Sequence, residues 1–127
     1  MIAEFKGYLL SNNIEAEIAN ESAVIFRKDG LSFLFQYSTD DPYYFRLSLP
    51  KIAQASEIRN VHDIMNDLCI QYKVMKMTIV EDDLWIITEQ FVYCRENVNA
   101  LFSRLISLIE EVFRAFRETM RHHDETR

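Results

Sequence analysis

Glycine is nearly absent from this chain, which has only Gly7 and Gly30 in 127 residues. Two isolated glycines cannot build a glycine-rich phosphate cradle or a dinucleotide fingerprint. Proline and cysteine are equally scarce, at two each, which excludes a proline-rich disordered chain and a disulfide scaffold. Cys69 and Cys94 stand 25 positions apart with no CxxC or Cys/His cluster near either, so both read as small core residues of a reducing compartment. No apolar run approaches the roughly 18 residues of a spanning helix, and Leu84-Trp85-Ile86-Ile87 is among the longest. Met1 to Lys6 holds an acid where an export signal has a basic stretch, and no apolar segment follows. The expectation is a cytoplasmic domain with no membrane partner.

Positive charge is also in short supply. Lys and Arg number 14 against 20 Asp and Glu, a net charge of −6 that lies entirely within residues 1–94. A chain without a basic stripe lacks the phosphate-neutralising footprint of nucleic-acid binding, so that partner is not expected. Its charge also disfavours anionic membrane surfaces. What is abundant is apolar: 49% of residues are hydrophobic and 13% aromatic. From surface scaling, a chain of this mass buries roughly two-thirds of its surface in one core. One domain over residues 1–127 is expected, with a frayed polar tail over 121–127.

Ile2, Phe5 and Leu9 recur at helical spacing and Ser11-Asn12-Asn13 closes a short first helix. Residues 14 to 18 suit a strand or a helical turn. Ala23 to Lys28 and Leu31 to Tyr37 are strand-like runs joined by Asp29-Gly30, the pair a type I′ turn requires. That turn sets Lys28 opposite Leu31, Phe26 opposite Phe33 and Val24 opposite Phe35 on one core face, which Tyr37 continues. Tyr43 to Leu49 alternates as a third strand, ended by Pro50. Ser56 reads as the N-cap of a second helix carrying Ile58, Val61, Ile64, Met65, Leu68, Cys69 and Tyr72. Val74 to Val80 and Leu84 to Tyr93 form a second hairpin around Glu81-Asp82-Asp83, with its register open. Asn97 caps a last helix running to about Met120, whose apolar positions span about 160° of its circumference.

Recognisable chemistry is missing. No P-loop, GxSxG, HExxH or EF-hand spacing occurs. His62-Asp63 are adjacent on a helix and point about 100° apart, so they form no facing acid-base pair. His122 and His123 sit in the polar tail beside Asp124 and Glu125, where nothing preorganises a metal site. Asp40-Asp41 and Asp82-Asp83 read as turn residues. Met65, Met75 and Met77 read as core fillers. No cofactor, metal or catalytic residue is expected.

The order α-βββ-α-ββ-α resembles the type III secretion chaperone-like fold. Phe26-Arg27-Lys28-Asp29-Gly30, Asp40-Asp41-Pro42-Tyr43-Tyr44-Phe45-Arg46-Leu47, the helix Asn60 to Leu68 with Asn66, and Lys73-Val74 before a hairpin are similar to the YbjN-like bacterial family of proposed sensory transduction regulators. The likeness covers roughly residues 20 to 118. It implies a non-enzymatic cytosolic protein of bacteria, dimeric or partnered, with no catalytic residues to carry over. One departure is that Glu81-Asp82-Asp83 lacks the glycine such hairpins often have.

The fold expected is therefore α+β, an antiparallel sheet of about five strands with the first and last helices on one face and the second flanking it. The function expected is a protein-binding module, chaperone-like or regulatory. A small-molecule binder or hydrolase with a pocket between helix and sheet is the alternative. The first hairpin's register and the alternation of the third strand turn Ile25, Arg27, Leu34, Gln36, Tyr44 and Arg46 away from the core, making them the candidate contact surface for a protein partner or a homodimer. The competing arrangement has the second helix covering that face.

Overall fold

The computed structural model describes the backbone of residues 1–125 and the side chains of residues 1–122. Helix α1 (Ile2–Ser11) precedes strands β1 (Ala16–Asn20), β2 (Ala23–Lys28), β3 (Leu31–Tyr37) and β4 (Tyr44–Gln54). A 3-10 turn (Ala55–Glu57), α2 (Val61–Gln71), β5 (Lys76–Val80), β6 (Asp83–Phe91) and α3 (Val98–Glu125) follow. The strands make one antiparallel sheet in the order β1-β2-β3-β4-β6-β5. The α+β class and the alternation of helices and strands are those expected. The sixth strand is β1, which resolves the ambiguous stretch at 14 to 18; all five of its residues are exposed, so burial leaves no mark on its sequence.

The first hairpin has the expected register, with Lys28 opposite Leu31, Phe26 opposite Phe33 and Val24 opposite Phe35. Asp29 and Gly30 both have positive φ, at 53° and 80°, as a type I′ turn demands. The second hairpin also turns in two residues. Val80 pairs with Asp83, leaving Glu81 and Asp82 at φ 51° and 74° without a glycine. Bonds from the 3-10 turn hold Asp82 there: the Ala55 N–H donates to its carbonyl at 2.7 Å, and the Ser56 N–H and hydroxyl donate to its carboxylate at 2.9 and 2.6 Å.

Four expectations need correcting. Ser56 caps no helix, because its hydroxyl serves Asp82; α2 starts at Val61 behind Asn60, whose φ is 59°. Pro50 does not end the third strand. The β4–β6 ladder shifts register between Leu49 and Ala53, and a proline without an N–H is tolerated in such a bulge, where Lys51 takes φ 54°. Cys94 is exposed rather than core, because β6 stops at Phe91 and leaves it in the connection to α3. Finally, α3 continues past Met120 to Glu125. The rest of the tail, residues 126 and 127, lies outside the described residues.

The core occupies one side of the sheet. Phe26, Phe33, Phe35, Phe45, Leu47, Leu84 and Ile86 point to that side and are fully buried. Helix α1 lays Phe5 flat on Phe35 at 3.8 Å between ring centroids, with the planes 3° apart. From α3, Phe102 meets Phe5 edge-on at 4.9 Å and Phe45 at 5.3 Å. Ile64 and Leu68 of α2 join the same cluster, and α2 packs on α3 and β5. All three helices therefore lie on one side. Lys28 at the first hairpin's tip ties the sheet to α3 through Glu110 at 2.9 Å.

Phe35→Ala is expected to cost about 3–5 kcal/mol in urea unfolding, the range for emptying a buried aromatic site. Phe91→Ala, on the opposite side of the sheet, is expected to cost no more than about 1 kcal/mol. Equal losses would contradict a one-sided core.

Candidate functional site

Strand alternation sends every second residue to the side away from the helices. The register lines them up in rows. Ile25, Leu34, Ser48, Ile87 and Lys76 cross β2, β3, β4, β6 and β5. Ala23, Gln36, Arg46 and Glu89 make the next row, and Tyr44 and Phe91 the one after. All six predicted surface residues, Ile25, Arg27, Leu34, Gln36, Tyr44 and Arg46, fall on this outer face. Leu34 sits opposite Ile25, and Arg46 between Gln36 and Glu89. Arg27, opposite Ser32, stands at the far end of the face from Tyr44. Among the described residues no helix packs on this face, since α2 lies with the other helices on the core side.

The centre of the face is a charged network around Glu89. Its carboxylate accepts from the Tyr44 hydroxyl at 2.7 Å and pairs with Lys76 Nζ at 2.6 Å and Arg46 at 3.3 Å. The Lys76 bond, followed by the Tyr44 bond and the Arg46 charge, outweighs partial desolvation and lowers the Glu89 pKa from an ordinary 4.5 to about 2. Burial and the bond to Glu89 push the Tyr44 hydroxyl up, keeping it a neutral donor. One carboxylate thus joins β4, β6 and β5. Beside it Ser48 and Ile87 are buried, although only side chains of the same face can shield them. Gln36 Oε1, Arg46 Nε, Ser48 Oγ and Trp85 Nε1 are buried without a hydrogen-bond partner among the described residues.

Half of this surface escapes a reading of the sequence. Lys76, Trp85, Ile87, Glu89 and Phe91 all come from the second hairpin, whose faces cannot be assigned while its register is open. The signal is the two-residue spacing of Glu81-Asp82, obscured because neither position is glycine. A cleft of about 960 Å³ lies between α1 and the β1–β2 edge, lined by Leu9, Leu10, Ile14, Ile18 and Val24, and it reaches the outer-face residues Ile25 and Arg27. Among the described residues no three His, Cys, Asp or Glu side chains converge on a metal position. His62 is exposed, and the side chains of His123, Asp124 and Glu125 lie outside the described residues. Among the described residues no helix is long and apolar enough to cross a membrane.

The lowered carboxylate pKa has a defined sign. A depressed folded-state pKa contributes stability above the unfolded value near 4.5, and that contribution disappears as pH falls toward about 2. Glu4 is lowered to about 2 as well: partial burial opposes the shift, and its backbone bond, the terminal amine and Arg95 outweigh it. Stability is therefore expected to fall between about pH 5 and about pH 2. Glu89→Gln should be less stable at neutral pH and lose less over that interval, as followed by urea midpoints; parallel pH curves for the two proteins would contradict the assignment.

No family model and no curated protein matches the sequence. Solved structures do match. One is YbjN of E. coli, described as a proposed transcription regulator, with a TM-score of 0.68 at 13% identity over 97% of this chain and 93% of that one. Another is the Yersinia pestis type III secretion chaperone SycH in complex with a stable fragment of YscM2, with a TM-score of 0.58 at 13% identity over 87% of this chain and 94% of that one. At such identity the likeness is one of architecture, and the chain has the α+β fold shared by YbjN and the type III secretion chaperone.

Proposed function

We propose that this chain is a non-enzymatic protein-binding module, chaperone-like or regulatory, of the bacterial cytoplasm, and that it engages its partner through the outer sheet face. The partner is another polypeptide or a second copy of this chain. The observation that carries the reading is the bare face itself. It exposes Ile25 next to Leu34, sets Tyr44 and Phe91 beside an organised Arg46–Glu89–Lys76 network, and buries four polar atoms with no partner among the described residues. Each such atom costs about 1–3 kcal/mol unless water or a docking group satisfies it. Tyrosine and arginine are the side chains most enriched at protein contacts. The neighbours support the reading in kind, one being a proposed regulator and the other a chaperone solved with a protein fragment.

The cleft between α1 and the β1–β2 edge favours a second reading, a binder of small apolar molecules. A metabolite that raised the melting temperature in proportion to its concentration would support that reading.

The variant Leu34→Asp with Tyr44→Ser is expected to keep a cooperative unfolding transition and to lose self-association in light scattering, or partner capture in a pull-down. A folded double variant with unchanged assembly and capture would sink the interface.

A further inference from the structure

The last row of the outer face runs into four aromatic rings that the core does not use. Tyr44 packs against Phe91 at 5.6 Å, and Tyr43 against Tyr93 at 4.9 Å. Tyr93 is 74% exposed, Phe91 61% and Tyr43 43%. Six of the other phenylalanines, by contrast, are sealed in the core. The backbone at the base of these rings is tied by hydrogen bonds. The Val92 N–H donates to the Tyr43 carbonyl at 2.7 Å, the Tyr43 N–H donates to Asp41 Oδ1 at 3.0 Å, and Arg95 donates to the Pro42 carbonyl at 2.6 Å. Two aromatic pairs exposed to this degree at one end of the sheet form a platform with the character of a contact surface.

Charge around the platform is one-sided. Arg46 and Lys76 are engaged by Glu89, and Arg95 by Glu4. Asp40, Asp41 and Glu96 take part in no ion pair among the described residues. Aromatic faces present negative quadrupole density to a cation, and unpaired carboxylates at their margin add to it. A guanidinium suits both, because it stacks flat on a ring while its edge donates to a carboxylate. Nucleic acid and anionic lipid carry the wrong sign.

We propose that this aromatic end binds an arginine-bearing segment of a partner polypeptide, with guanidinium groups lying on Tyr93, Tyr43 and Phe91 and pairing with Asp40 and Asp41. The inference rests on the protein-binding reading and specifies the partner's chemistry at one end of the same face.

The test is fluorescence anisotropy with a labelled peptide of about nine residues carrying arginine at alternate positions, alongside its lysine and citrulline counterparts. The arginine peptide binds, the lysine peptide binds about fivefold more weakly, and the citrulline peptide does not bind. Tyr93→Ala and Phe91→Ala each weaken binding by roughly fivefold to tenfold, while Tyr93→Phe retains it. Asp40→Asn with Asp41→Asn weakens it and flattens its salt dependence, and the amide oxygen introduced by Asp41→Asn still accepts the Tyr43 N–H, so the loop is kept. Three results would overturn the proposal. The first is absence of binding, and the second is equal binding of arginine and lysine peptides that ignores Tyr93→Ala, the behaviour of unspecific attraction to an acidic protein. The third is displacement of a dimer by the arginine peptide, which would make a second copy the occupant. The variant Leu34→Asp separates this inference from the one beneath it. If Leu34→Asp abolishes partner capture and wild type ignores the peptide, only the arginine site fails; peptide binding with capture indifferent to Leu34 has the opposite meaning.

Discussion

The face-to-face contact of Phe5 on Phe35, closed edge-on by Phe102, decides how this molecule is layered. Those rings bring α1 and α3 to the same side of the sheet, and α2 follows because its apolar positions Ile64 and Leu68 belong to the same cluster. Aromatic burial on this scale dominates the energetics of a small domain, each ring contributing area and a geometric preference that aliphatic side chains lack. Once three helices have gathered on one side, none remains for the other. The bare outer face is therefore a consequence of how the core is built.

A sheet face left to solvent is normally polar at every second position, and this one is not. It alternates aliphatic, aromatic and charged groups along neighbouring rows, and it organises the charged ones around Glu89. Isolated surface pairs contribute little to stability, and a carboxylate held by three donors from neighbouring strands differs by fixing geometry. Arg46, Lys76 and Tyr44 are thereby presented in set positions, which reduces the ordering cost of any group that docks against them. The unpartnered polar atoms beside the network fit the same picture, since a face completed from outside can carry polar groups that the isolated chain does not satisfy.

How much of this is legible in the sequence depends on whether the deciding contact is local. Asp29-Gly30 sets two strands in register with no outside help, and that one turn orients Ile25, Arg27, Leu34 and Gln36; strict alternation from Tyr43 to Leu49 does the same for Tyr44 and Arg46. The second hairpin has an equally short turn, but the left-handed conformation of Asp82 depends on hydrogen bonds from Ala55 and Ser56, far away in sequence. A turn supported from a distance leaves no local mark, so Glu89 and its neighbours cannot be assigned a face. Ser56 misleads for the matching reason, because a capping residue and a distant hydrogen-bond donor look alike in sequence. β1 gives no apolar signal because none of its residues is buried, and Pro50 suggests an end where the ladder tolerates a bulge.

The two edges of the sheet are finished differently, and this bears on how the domain opens. β5 is fastened to β6 and β4 through Lys76 and Glu89, and α2 packs against it. β1 pairs with β2 and all five of its residues are exposed, and that ladder shifts register between Ile18 and Asn20. Local opening requires the least free energy where few buried contacts are lost, so amide hydrogen exchange should be fastest in β1 and grow slower toward β4. The sheet then has a soft margin and a firm one. Motion of the β1 edge can widen or narrow the cleft beside α1 while the Glu89 end stays fixed.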